Sequence, residues 1–126
     1  MIHLDTGMLI AMVKVADTHH ATARKLATGS HHFSTDAVAW MEFHSRPVPP
    51  ALTLALKVLL DGGIIPFDEA TAAFAGSLFH LTGAKRRTRM DAMIAATAIL
   101  AGAELATTNP ADFQAFIAHG LKLRRA

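Results

Sequence analysis

Two hydrophobic rhythms alternate along the chain. Short apolar runs predict buried strands, and apolar residues spaced three or four apart predict amphipathic helices. Residues 1–4 read as a strand with Asp5 as its last residue. Thr6-Gly7 reads as a turn and residues 8–13 as a short helix. Asp17 or Thr18 can cap a helix through Ala21, Ala23, Leu26 and Ala27, with Gly29 as its stop. Residues 31–35 form a weakly patterned strand, and Thr35 or Asp36 caps a helix reaching His44. A proline-rich break at residues 46–50 leads into a helix over 51–60. Residues 64–67 read as a strand at a sheet edge because of Pro66. Asp68 caps a helix to Leu81, and a basic loop follows. After the next helix come a strand over 104–108, a turn over 109–113, a short helix to His119 and a last edge strand near 120–123. Strands alternating with helices predict a parallel sheet covered on both faces. No internal repeat or long linker divides the chain, so residues 1–126 read as a single domain.

One stretch departs from amphipathic patterning. The segment Arg89-Met90-Asp91-Ala92-Met93-Ile94-Ala95-Ala96-Thr97-Ala98-Ile99-Leu100 is apolar almost all round, which places it inside the protein. Asp91 is the only charge between Arg89 and Glu104. A buried lone carboxylate costs several kcal/mol. Either Asp91 is an N-cap, or it faces a bound cation.

Three further acids stand where structure alone would not ask for them. Asp5 ends the first strand, Glu42 lies among Val38, Trp40, Met41 and Phe43, and Asp112 follows the strand over 104–108. In a parallel sheet the carboxyl ends of the strands share one edge, so Asp5, Asp91 and the Asn109–Asp112 turn should meet there. Clustered carboxylates stay ionised when cations neutralise them, and hard oxygen donors suit Mg²⁺ or Mn²⁺. Such ions can activate water and stabilise the leaving oxygen of a phosphodiester.

Charge adds to this picture. The formal net charge is only +2, which does not mark a protein that coats nucleic acid. The positions matter more: Lys85, Arg86, Arg87 and Arg89 cluster, and Lys122, Arg124 and Arg125 lie near the end of the sequence. Both groups can hold phosphates. The absence of cysteine excludes thiolate metal sites and suits a cytoplasmic protein. No secretory leader or membrane-spanning run is visible.

Taken together, these residues resemble the PIN domains, and most closely the VapC-type toxins of bacterial toxin–antitoxin pairs. The resemblance rests on Ile2-His3-Leu4-Asp5-Thr6 with Leu9-Ile10, on Trp40-Met41-Glu42-Phe43, on Asp91-Ala92-Met93-Ile94-Ala95-Ala96-Thr97-Ala98 and on Thr107-Thr108-Asn109-Pro110-Ala111-Asp112-Phe113. It covers essentially the whole chain. It implies an α/β/α sandwich with a central parallel sheet of about five strands. It also implies a Mg²⁺- or Mn²⁺-dependent ribonuclease, usually a homodimer held inactive by a cognate antitoxin protein. Asp5, Glu42 and Asp91 would be the core acids, with Asp112 or Asn109 completing the metal site. Thr6 and Thr108 would orient the acids or metal-bound waters, and Lys85, Arg86, Arg87 and Arg89 would hold the RNA. Gly7 departs from the family, which usually has Asn or Ser there.

The eight histidines include no His-x-x-x-His spacing and read as structural or surface residues. A receiver-like domain with Asp5 as phosphoacceptor would need a second acid beside it and a late lysine, and neither is present. A catalytically silent PIN-like binding module predicts loss of a core acid, whereas all three are present.

Overall fold

A computed structural model describes residues 1–124. Five parallel strands form one sheet in the order β3-β2-β1-β4-β5. These are β1 (Ile2–Leu4), β2 (Phe33–Asp36), β3 (Ile64–Ile65), β4 (Glu104–Ala106) and β5 (Lys122–Leu123). Seven helices connect them: α1 (Thr6–Val13), α2 (His20–Ala27), α3 (Ala37–Phe43), α4 (Pro50–Leu59), α5 (Glu69–Leu81), α6 (Arg89–Leu100) and α7 (Gln114–Ile117). The result is the expected α/β/α sandwich.

The first strand is central, flanked by β2 and β4. Strand order therefore reverses beside β1. Right-handed crossovers then send the connections after β1 and β4 to opposite faces, which opens a crevice between their carboxyl ends. Every acid proposed from the sequence lies at or above that crevice, or on a helix that packs around it.

Sequence explains why β1 takes the centre. Ile2 and Leu4 are fully covered, and residues with both faces buried belong in an interior strand. β3 is shorter than the expected 64–67 because Pro66 cannot donate to a ladder. The helix α6 is buried from Ile94 to Ala98, and its alanines combine high helix propensity with a small cross-section. It packs along α5 and reaches α3 and β4. Gly102 ends α6 with φ +66°, a left-handed stop that suits glycine. Gly29 does not play that part: α2 closes on Thr28 in right-handed geometry. Neither Asp17 nor Thr18 caps α2; Asp17 Oδ1 accepts from the His19 amide one turn earlier.

The interior also holds a buried ionisable pair that joins β1 to the end of β2. His3 Nε2 lies 2.6 Å from Asp36 Oδ2, and His3 Nδ1 lies 2.9 Å from Ser34 Oγ. All three residues are completely buried. Asp36 Oδ1 also accepts from the Ala39 amide at 2.7 Å, capping α3. One carboxylate thus ties the central strand to the helix that carries Glu42. No helix among the described residues is long and apolar enough to cross a membrane.

Candidate functional site at the carboxyl edge of the sheet

Asp5 follows β1 directly and opens α1. Its Oδ1 accepts from the Met8 amide at 2.8 Å, so it is a helix N-cap as well as a strand-end acid. Thr6 and Gly7 are the first turn of α1 rather than a separate turn. A Cβ added to Gly7 would lie 2.4 Å from Thr108 Oγ1, so the helix can begin this close to the β4 loop only with glycine there, or with Thr108 displaced.

The second oxygen of Asp5, Oδ2, accepts from Thr107 Oγ1. The same hydroxyl oxygen accepts from the Asn109 amide at 3.0 Å. Of the two threonines expected to orient the acids or metal-bound waters, Thr6 bonds to Glu42, whereas the hydroxyl on Asp5 belongs to Thr107 and not to Thr108. The signal lies in strand register: Leu4 pairs with Ala106, so Asp5 and Thr107 are next in line on adjacent strands and point to the same face.

Glu42 sits in the last turn of α3, half-buried, and its Oε1 accepts from Thr6 Oγ1 at 2.7 Å. Asp91 is the third residue of α6 and is not its cap, which is Thr88. Asp112 lies on an exposed 3-10 turn over Pro110–Phe113, and its Oδ2 accepts from Asn109 Nδ2 at 2.7 Å. Asn109 and Asp112 are therefore hydrogen-bonded partners within one turn.

Electrostatics join the four acids. Burial pushes the Asp5 carboxyl up from 3.8 to about 6, against the lowering effect of Thr107 and the Met8 amide; Asp36 and Glu42 raise it further. Burial also pushes Asp91 up to about 6, and the charges of Asp112, Glu42 and Asp5 add to the shift. Asp91 thus feels the other three acids at once.

All these donors are oxygens. Among the described residues no three acidic or histidine side chains stand as direct ligands of a single ion. The set fits a small hard cation that keeps several waters and takes only one or two carboxylates directly. An ion between them would relieve the repulsion that raises Asp5 and Asp91.

A cleft of about 430 Å³ opens beside the acids, lined by Asp91, Asp112, Lys85, Arg87, Thr88 and Phe116 among others. Lys85 and Arg87 thus face the acids. Arg86 and Arg89 do not line this cleft; the Arg89 guanidinium lies 5.6 Å from the Phe79 ring centre on α5. Arg125 lies outside the described residues.

The sequence matches the PIN domain family over residues 2–117. The chain is a PIN domain. A comparison with curated proteins gives no significant match. Solved structures similar to this PIN domain include FitAcB from Neisseria gonorrhoeae, at 22% identity and TM-score 0.68, covering 99% of this chain and 97% of that one. A toxin–antitoxin complex from Klebsiella pneumoniae matches at 24% identity and TM-score 0.67, covering 90% and 91%. VapC20 of Mycobacterium tuberculosis, described as a sarcin–ricin loop cleaving toxin, matches at 17% identity and TM-score 0.69, covering 99% and 100%. At these identities the likeness is one of fold.

Proposed function

We propose that this PIN domain is a Mg²⁺- or Mn²⁺-dependent endoribonuclease and the toxin of a type II toxin–antitoxin pair. The observation that carries the reading is the placement of Asp91 and Asp112 along one cleft with Lys85 and Arg87, where the charges of Asp112, Glu42 and Asp5 add to burial in raising the Asp91 carboxyl. Such an arrangement is costly to folding, and a site that recruits a cation gives it a purpose.

Asp5, Asp91, Asp112 and Asn109 would hold the ion, one or two of the carboxylates directly and the rest through its waters, and Glu42 would complete the acid set. When bound, the metal supplies an activated water and stabilises the leaving oxygen of the phosphodiester. The chain's own residues prepare that chemistry. Thr107 and the Met8 amide fix both oxygens of Asp5, and Thr6 fixes Glu42. Asn109 aims Asp112. Lys85 and Arg87 would hold substrate phosphates along the cleft, with Arg86 and Arg89 adding to the field. Gly7 lets the Asp5 cap and the Thr107–Asp112 turn approach closely.

The toxin role is supported by the fold shared with the Klebsiella toxin–antitoxin complex and with VapC20. A cytoplasmic homodimer restrained by a cognate antitoxin protein fits that role. Apolar side chains left exposed, among them Met41, Leu54 and Val58, offer surface for such contacts.

The test is cleavage of a pool of structured and single-stranded RNAs by pure protein with Mn²⁺ or Mg²⁺. A chelator, Asp5→Asn and Asp91→Asn serve as controls. Cleavage abolished by the chelator and by both variants supports the reading. Cleavage that survives Asp91→Asn overturns the site. Silence together with failure to bind Mn²⁺ would leave a non-catalytic binding module.

A further inference from the structure

We propose that the cleft between α2 and β5 seats a nucleotide of the RNA on the far side of the acids from the Lys85–Arg89 loop. This rests on the ribonuclease reading and adds a second substrate contact to it.

The carboxyl edge of the sheet changes character from strand to strand. Reading outward from β2, that edge carries Asp36, the last residue of its strand, and then Asp5, Thr107 and Arg124, each the first residue after its strand. The Arg124 amide donates to the Leu105 carbonyl, which pins this arginine to the edge. It stands two strands from Asp5, about 10 Å at the usual strand spacing. Along one sheet edge, then, an acid end meets a basic end with Thr107 between them.

A cleft opens at the basic end. Its volume is about 250 Å³, with Met8, Leu26 and Ala106 as apolar wall and Lys25, His31 and Arg124 as basic rim. Thr107 also lines it, and that residue holds Asp5. A wider hollow of about 650 Å³ shares Met8, Thr22, Thr107 and Arg124 with it and adds His19 and Lys122. Among the described residues no carboxylate side chain lines either hollow. Arg124 pairs with Glu104 at 3.5 Å, and its Nη2 also lies 3.3 Å from His31 Nε2. Lys25 and Lys122 are exposed and carry no ion pair among the described residues.

An apolar wall with a cationic rim matches a nucleotide, which has a flat base and an anionic phosphate. Continuity with Thr107 selects the polymer. A ligand that already crosses the acids and the Lys85–Arg87 cleft would run on into this hollow without a break. An RNA strand does so; a separate acidic peptide has no reason to begin at Thr107. The scissile phosphate would thus sit between two basic clefts with the acids in the middle.

The experiment uses Asp91→Asn protein in chelator, so that nothing is cut. Binding of a labelled single-stranded RNA of mixed sequence is followed by fluorescence anisotropy across a salt series. Lys25→Glu with Lys122→Glu, added to that background, should weaken binding about tenfold or more. It should also lower the slope of log affinity against log salt by roughly 1.4, about 0.7 for each lost phosphate contact. Lys25→Arg with Lys122→Arg should keep both affinity and slope. Unchanged affinity and slope in the glutamate variant would overturn the proposal and leave the cleft to a protein partner. The two readings fail separately. A wild-type protein that cuts no RNA while the glutamate pair weakens binding sinks the ribonuclease reading alone. Cleavage by wild type with lysine-independent binding sinks the second cleft alone.

Discussion

Asp5 at the head of α1 and Thr107 at the end of β4 are joined through the Thr107 hydroxyl, across a sequence separation of 102 residues. Strand pairing of Leu4 with Ala106 makes the contact unavoidable once the sheet forms. Thr107→Val should therefore lower kcat by about ten- to a hundredfold, the usual cost of removing a group that orients a metal-binding carboxylate. Thr108→Val should change kcat far less. Parallel kinetics of the two variants on the same RNA check the pair; equal losses would contradict the geometry.

The raised carboxyls make the metal-free protein less stable as pH rises. A folded-state value of about 6 for Asp5, against 3.8 in the unfolded chain, means that the folded form holds its proton more tightly. That contribution is fully present below pH 3.8 and is lost as pH passes through about 6. For Asp5 the shift of about two units amounts to roughly 3 kcal/mol. Asp5→Asn keeps a side-chain oxygen for the Met8 amide and removes the charge. It should raise metal-free stability at pH 7.5 by about 2 kcal/mol while abolishing cleavage. Denaturant melts at pH 5 and 7.5 read this directly, and the wild-type difference between the two pH values should shrink in the variant.

Protons and divalent ions should compete for the same acids. With Asp5 and Asp91 both near 6, Mn²⁺ should raise the melting temperature strongly at pH 7.5 and weakly at pH 5. Below pH 6 the apparent affinity should fall by up to about tenfold per pH unit for each proton displaced. Calorimetric titration of Mn²⁺ at three pH values checks it. A pH-independent affinity would place the ion away from both acids.

The buried His3–Asp36 pair should behave as one unit. His3→Leu leaves Asp36 without its partner in the interior and should cost about 3–5 kcal/mol. Adding Asp36→Ser removes the stranded charge and keeps a good N-cap on α3, so the double variant should recover most of the loss. A double-mutant cycle by chemical denaturation measures the coupling. Additive losses would mean that the pair is not coupled.

Much of this was legible in the sequence, and the exceptions share a cause. The order and type of the elements follow from local periodicity, which needs no knowledge of neighbours. Asp5, Glu42, Asp91 and Asp112 stood out because each is an acid set where burial or strand ends make charge expensive. What escaped depends on which strands lie side by side. Thr107 and Thr108 look alike until register puts one of them beside Asp5. His3 reads as one more interior strand residue until β2 brings Ser34 and Asp36 against it. Thr6-Gly7 resembles a turn because glycine usually marks one. Here the Asp5 cap starts the helix early, and glycine serves the close approach to Thr108 instead. Asp91 as a cap was a sound local reading, and it fails because a 3-10 turn over Arg86–Thr88 leads into the helix ahead of it.

The central place of β1 has a consequence during synthesis. β1 leaves the ribosome with one neighbour, β2, close behind it, but its other neighbour, β4, follows only after about a hundred more residues have been made. Until then Asp5 lacks Thr107, and Asp112, which follows β4, has not been made. A growing chain therefore carries its acids in separate, unassembled pieces beside the RNAs of the translation machinery. Competence arrives in one step, when β4 slots in beside β1. On the ribonuclease reading proposed above, topology itself delays the hazard until β4 has been made.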